Sequence, residues 1–136
     1  MWQQRYESSD AGSGVRLFFP EVRAAHRTLA KLELTNIRAQ IFTGHGGLRK
    51  YLFRFKLSTV QTCTCDDASI ESITHILVEC PRYSAKRFEC ESRIGRSIEP
   101  QSLKELINDD SCRAHFLAFA ESAMRQTAKA NGAKNV

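Results

Sequence analysis

Four residues whose types suit one chemistry fall inside the stretch 62–81: Cys63, Cys65, His75 and Cys80, in the pattern Cys-x-Cys-x9-His-x4-Cys. Three thiolates and one imidazole are a preferred ligand set for tetrahedral zinc. Asp66 and Asp67 are turn formers, which places Cys63 and Cys65 on a short polar loop. His75 opens an apolar segment, 75–79, that reads as a short helix capped by Ser72 or Thr74. Pro81 either stops that helix or begins another, so Cys80 falls at a joint. Residues five apart on an ideal α-helix do not share a face. His75 and Cys80 therefore converge where the helix bends or ends, and Pro81 is the expected break.

The spacing is equally compatible with small apolar thiols in an ordinary core. Cys-x-Cys is a weaker metal signal than Cys-x-x-Cys, and the nine-residue gap is not a standard finger spacing. A disulfide framework fits poorly. The cysteine count of five is odd, no secretory apolar segment follows Met1, and Cys63 and Cys65 are too close in sequence to bridge comfortably. Cys90 and Cys112 lie outside the metal spacing and read as core or interface thiols. His26 and His115 have no nearby chemical partner in sequence and read as ordinary polar positions.

Catalytic signals are missing. The chain has no phosphate-binding glycine loop, dinucleotide fingerprint or nucleophile elbow. Asp66-Asp67 and Asp109-Asp110 sit at turn or cap positions, where aspartate serves the backbone. Gly44-His45-Gly46-Gly47 has the look of an anion-binding turn. Without a paired acid or nucleophile, His45 reads as structural: it bonds a helix end or packs against the metal module. The expectation is a protein that is not an enzyme.

Charge is uneven along the 136 residues, whose net charge is +5. From Val15 to Leu57 there are nine Lys or Arg against two acids, Glu21 and Glu33, an excess of seven. The rest of the chain is slightly acidic. Such a basic half favours a polyanionic partner, although scattered basic residues also cover ordinary helices. No apolar run approaches the roughly 20 residues that span a bilayer, so no membrane role is expected. The expected compartment is intracellular, nuclear or cytoplasmic.

The elements that must position these residues read as nearly all helix. Residues 1–14 form a linker remnant, with Trp2 and Tyr6 four apart in a possible helical turn. Residues 15–127 form one helical domain, and 128–136 a disordered tail. Leu17–Pro20 reads as an extended segment across the core. A first helix over 21–31 carries Ala25 and Leu29. A second over 34–43 is capped by Thr35 or Asn36, buries Leu34, Ile37 and Ile41, and stops at Gly44. A third over 48–57 turns Leu48, Leu52 and Phe55 inward and Arg49, Lys50, Arg54 and Lys56 mostly outward. The glycine turn makes these two a helical hairpin. Further helices follow over 82–94, 103–107 and from about 111 to 127.

Several ordered landmarks resemble one family. Ile41-Phe42-Thr43-Gly44-His45-Gly46, then Tyr51 to Leu57, then Cys63-x-Cys65, then Thr74 to Tyr83 are similar to the C-terminal region of non-LTR retrotransposon Pol polyproteins of arthropods. Trp2 to Tyr6 and Phe19-Pro20 resemble the connector upstream of that region. The likeness spans roughly residues 2–90. It departs in the connector, where Gly14-Val15-Arg16 replaces a Gly-Arg-aromatic step, and in the loop before His75, which has no glycine. The resemblance implies a mostly α domain with one CCHC clip in which Cys63, Cys65, His75 and Cys80 bind zinc. It implies a nucleic-acid partner, RNA or DNA, and a chain lacking the polymerase and endonuclease domains. Arg49, Lys50, Tyr51, Arg54 and Lys56, rings interleaved with cations, are the expected contact residues. A zinc-stabilised structural or protein-interaction module is the alternative.

Overall fold

The computed structural model describes residues 17–133. The expected linker over 1–14, the Gly14-Val15-Arg16 step and residues 134–136 lie outside them. After the helical residues Leu17 and Phe18, the described residues form α1 (Val22–Lys31), α2 (Asn36–Thr43) and α3 (Arg49–Arg54). A two-stranded antiparallel hairpin follows, β1 (Thr62–Cys63) and β2 (Asp66–Ile70). Next comes a π-helical turn, His75–Glu79, and a 3-10 turn, Pro81–Tyr83, running into α4 (Ser84–Ile94). A second 3-10 turn, Pro100–Ser102, opens α5 (Leu103–Asn108), and α6 (Asp110–Ala130) closes the fold. The mostly α class with a helix–glycine turn–helix unit is the fold that forms.

The core is built around α6. Asp109 caps its start by accepting from the Ser111 N–H at 2.8 Å, and no glycine or proline interrupts it before residue 130. Phe116, Ala120, Ala123, Met124 and Ala128 are fully buried along it. Its faces receive α2, α4, α5 and the π-helical turn. Phe18 and Phe19 close one end, packing edge-on against Phe42 at centroid distances of 5.4 and 5.2 Å. Burying a phenylalanine contributes about 1.5–3 kcal/mol relative to leaving it exposed, so this trio is a major anchor. Leu17 and Phe18 are helical rather than extended. The bias before Pro20 holds at Phe19, which is not helical.

Gly44 ends α2 in the left-handed region, φ 72°, and its N–H bonds the Gln40 carbonyl. Thr35 caps the start, accepting from the Arg38 N–H at 3.4 Å. From that turn α2 packs on α6 while α3 packs on β1. Gly47 is where the turn meets α6: an added Cβ would lie 2.3 Å from Ala128 Cβ and 2.6 Å from its Cα. Ala128 is fully buried, and Asn131 donates to the Gly47 carbonyl at 2.7 Å. Where a disordered tail is expected from residue 128, α6 runs through Ala130 and residues 131–132 form a turn: the glycine turn gives the helix end a binding surface. Leu34 and Phe55, expected inward, are instead exposed. Leu34 precedes the helix, and α3 ends before Phe55.

Candidate metal centre

Each of the four expected ligands arrives on an element that the local sequence explains. Cys63 ends β1 and pairs with Asp66 at the head of β2, so Cys65 sits in the tight turn between the strands. The polar loop expected there is a hairpin tip, and the strand signal was weak because it is so short. Asp66 shapes the turn, its carboxylate accepting from the Ala68 N–H at 2.9 Å and the Ser69 hydroxyl at 3.1 Å. Those bonds hold its carboxyl below the usual range.

His75 and Cys80 come together by a route other than the expected proline break alone. The segment 75–79 is a π-helical turn, in which the Cys80 N–H bonds the His75 carbonyl at 2.7 Å. An i→i+5 ladder returns the chain after five residues, as an α-helix does after four. Ser72 caps its start, accepting from the His75 N–H at 3.2 Å. Pro81 then begins the 3-10 turn.

The donor atoms Cys63 Sγ, Cys65 Sγ, the His75 ring and Cys80 Sγ all lie within 4.8 Å of one another and can hold a metal ion. Cys63 Sγ and Cys80 Sγ are 3.8 Å apart. That separation matches the edge, about 3.8 Å, of a tetrahedron with metal–sulfur bonds of about 2.3 Å. It is far outside disulfide length, and all five cysteines are free. His75 Nε2 faces Cys65 Sγ at 3.2 Å while Nδ1 faces Glu79 Oε1 at 3.2 Å. A carboxylate behind a ligating imidazole fixes its tautomer and orientation. His75, Cys63 and Cys80 are buried, and Cys65 is half-buried.

Basic and acidic groups that sequence reasoning passed over surround these donors. Arg82 Nε donates to Cys80 Sγ at 3.3 Å, and its Nη2 donates to Cys63 Sγ at 3.2 Å and to Glu71 Oε2 at 3.0 Å. Glu71 is fully buried, and its other oxygen accepts from the Arg49 N–H at 3.0 Å and Asn131 Nδ2 at 2.6 Å. Arg87, buried on α4, donates to the carbonyls of Leu77, Ile76 and Cys80 at 2.8, 3.1 and 2.9 Å. It satisfies the carbonyls that the end of the π-helical turn leaves open. Arg82 stands two residues after a cysteine, which hints at its role. No sequence spacing joins Glu71 to Arg49 or Asn131.

The thiols are unequal. Burial pushes the Cys80 thiol up, but the hydrogen bonds of Arg82 and Cys63 outweigh it and its pKa is lowered. Burial raises the Cys63 thiol. Cys65 is pushed up to about 12 by burial and then by its bonds with Cys63 and Cys80. Three adjacent sulfurs cannot all ionise without a compensating cation; a dication held by them would supply two positive charges, beside the Arg82 guanidinium on Cys63 and Cys80.

The expected nucleic-acid contacts divide. Arg49, expected outward, is half-buried, with Nε on Asn131 Oδ1 and Nη1 on the Thr62 carbonyl, each at 3.1 Å. That corrects its solvent-facing placement: it ties α3 to β1 and to the end of α6. Lys50, Arg54 and Lys56 are exposed. Tyr51 is half-buried between His45, ring centroids 4.6 Å apart, and Phe55, at 4.8 Å. His45 thus packs on α3 rather than on the metal ligands. Cys90 and Cys112 are buried away from the cluster, as core thiols. His26 and His115 are exposed.

Among the described residues no helix is long and apolar enough to cross a membrane. No protein-family model and no solved structure matches the chain. Three curated proteins do. Over 110 residues, 79% of this chain, it is 30% identical to the retrovirus-related Pol polyprotein from type-1 retrotransposable element R1 4 of Nasonia vitripennis, of which it spans 28%. Over 87 residues, 64% of this chain, it is 32% identical to the corresponding R1 polyprotein of Bradysia coprophila, of which it spans 8%. A second Nasonia vitripennis polyprotein, R1 2, is 33% identical over 87 residues, with 21% of its length spanned. The landmarks from Ile41 to Tyr83 and these matches agree: the chain is similar to one portion of the Pol polyproteins of R1 retrotransposable elements, and spans less than a third of their length.

Proposed function

We propose that the chain is a zinc-clipped nucleic-acid-binding module without catalytic activity of its own. The observation that carries the zinc half is the convergence of Cys63, Cys65, His75 and Cys80 donor atoms within 4.8 Å, from a hairpin and a π-helical turn. A closed set of three sulfurs and one nitrogen, with a partly buried guanidinium over two of the sulfurs, suits a structural zinc. Cys63, Cys65, Cys80 and Nε2 of His75 would hold the ion, which would supply folding free energy rather than chemistry. Such ligands must stay reduced, which fits an intracellular setting, nuclear or cytoplasmic.

The nucleic-acid half rests on the basic, aromatic surface of α3 and on kinship to retrotransposon polyproteins. Lys50, Arg54 and Lys56 are exposed beside the half-buried Tyr51, while Arg49 holds the helix in place. No Asp or Glu occurs between Glu33 and Asp66, and the carboxylate that reaches the start of α3, Glu71, is buried and paired with Arg82. The purified chain should contain one zinc ion and bind RNA or DNA with an affinity that falls steeply with salt. Metal-free protein with an unchanged fold sinks the first half. An absence of binding at low ionic strength sinks the second. The second reading, a zinc-stabilised protein-interaction module, is favoured by the exposure of Leu57, Val60 and Ile70, and that second result would select it.

A further inference from the structure

The end of α3 breaks a local rule. The Leu57 N–H bonds the Leu52 carbonyl at 2.8 Å and the Lys56 N–H bonds the Phe53 carbonyl at 3.0 Å. This 6→1 and 5→2 pair is the helix stop that glycine normally completes, because its turning residue needs positive φ. Here that residue is Lys56, at φ 60°. It is exposed, so no packing demands a lysine there. The residue after such a stop usually folds an apolar side chain back onto the helix, yet Leu57 is 72% exposed. Non-glycine residues held in the left-handed region cluster where function requires them.

The side chains around this corner share one chemistry. Phe55 is 54% exposed and Phe53 42%. The Phe55 ring is braced by Tyr51, itself stacked on His45, and the Arg54 guanidinium lies over the ring at 5.8 Å from its centroid, loose enough to move aside for a base. A braced ring with open surface, among cations and without a nearby acid in sequence, offers a stacking platform and a phosphate anchor together. Duplex bases are stacked on one another, whereas single strands have faces free to stack on a ring.

We propose that this corner, Phe53, Phe55 and Lys56, docks single-stranded nucleic acid, with a base on the Phe55 ring and a phosphate on Lys56. The proposal rests on the nucleic-acid reading above and names its substrate class.

The test uses the metal-loaded chain with labelled oligo(U) and oligo(dT), and a duplex of equal length, titrated across salt. Phe55→Leu keeps an apolar side chain but removes the ring. It should weaken single-strand binding about 5- to 150-fold and leave duplex binding unchanged, while Phe55→Tyr retains affinity. Lys56→Gly should raise the melting temperature, since glycine accepts positive φ, and still lower the single-strand salt slope by about 0.7. Phe55→Leu protein that keeps its metal and melting temperature and binds single strands as before overturns the proposal, as does Lys56→Gly with an unchanged slope. If both strand forms bind with salt dependence and neither variant responds, the nucleic-acid reading survives and this one falls. If the unmutated chain binds no strand, both fall. A self-association abolished by Phe55→Leu, with strand binding intact, makes the corner a protein interface instead.

Discussion

The Glu71 carboxylate and the Arg82 guanidinium meet at 3.0 Å, and the same Arg82 nitrogen lies 3.2 Å from Cys63 Sγ. Glu71 is fully buried and Arg82 is partly buried. The pair therefore joins the metal ligands on one side to the start of α3 and the end of α6 on the other, through the Arg49 N–H and Asn131. Burial alone would depress the guanidinium pKa, but its bond to Cys80 and the neighbouring Tyr83, Cys63 and Cys80 keep it raised.

Removing the buried Glu71 carboxylate takes from the Arg49 N–H and Asn131 their shared acceptor and from Arg82 its carboxylate partner, while Arg82 keeps its bonds to Cys63 and Cys80. Glu71→Ala should destabilise the fold by about 1–3 kcal/mol, measured by denaturant unfolding of metal-loaded protein. Glu71→Gln keeps the shape and some hydrogen bonds and should lie between it and the unmutated chain. A change below about 0.5 kcal/mol for Glu71→Ala, the range of ordinary surface substitutions, would contradict the joining role.

Arg82 should matter to metal affinity separately from fold. Partners of metal ligands typically contribute 10- to 100-fold in affinity, and Arg82→Gln should lose about that much in competition with a chromophoric chelator. Arg82→Lys should not restore it. An ammonium is a point charge and cannot address Cys63, Cys80 and Glu71 with a planar fork. Full affinity in either variant would assign Arg82 to surface packing.

Metal removal should unfold the hairpin and the π-helical turn. Chelation, or Cys63→Ser, should melt at least residues 60–85, because ligand binding and local folding are one event. Hydrogen exchange across that segment reads this directly. Cys90 and Cys112 should remain free thiols, and their replacement by Ser should leave metal content at one ion per chain. Loss of metal in Cys90→Ser protein that remains folded would reopen the ligand assignment.

Two glycines of the α2–α3 turn, Gly44 and Gly47, should respond differently. Gly44→Ala meets only ordinary contact, with Ile73 Cγ2 at 3.7 Å, but must adopt φ 72°. It should cost about 1 kcal/mol. Gly47→Ala meets the Ala128 backbone and Cβ at once, so the turn and the end of α6 must separate, at about 1–3 kcal/mol. Thermal melts of both variants test the order, and equal, small effects would mean that the end of α6 is not docked on the turn.

Much of this protein follows from the chain read by itself. The helix stop at Gly44, the cap at Thr35, the four donors and the basic, acid-free stretch around α3 are local matters of residue type and spacing, and short-range geometry settles them. The tertiary structure decides what depends on distant partners. The π-helical turn answers the misfit between His75 and Cys80, a need that pattern alone exposes without resolving. Arg49 looks like a surface cation until Thr62 and Asn131 claim it across the fold. Glu71 looks like any polar loop residue until burial obliges it to find Arg82. The end of α6 looks like a tail until Gly47 lets Ala128 approach. For Arg49, Glu71 and the end of α6 the role is set by a contact distant in sequence, and the free energy of that contact is written in neither neighbour's sequence context.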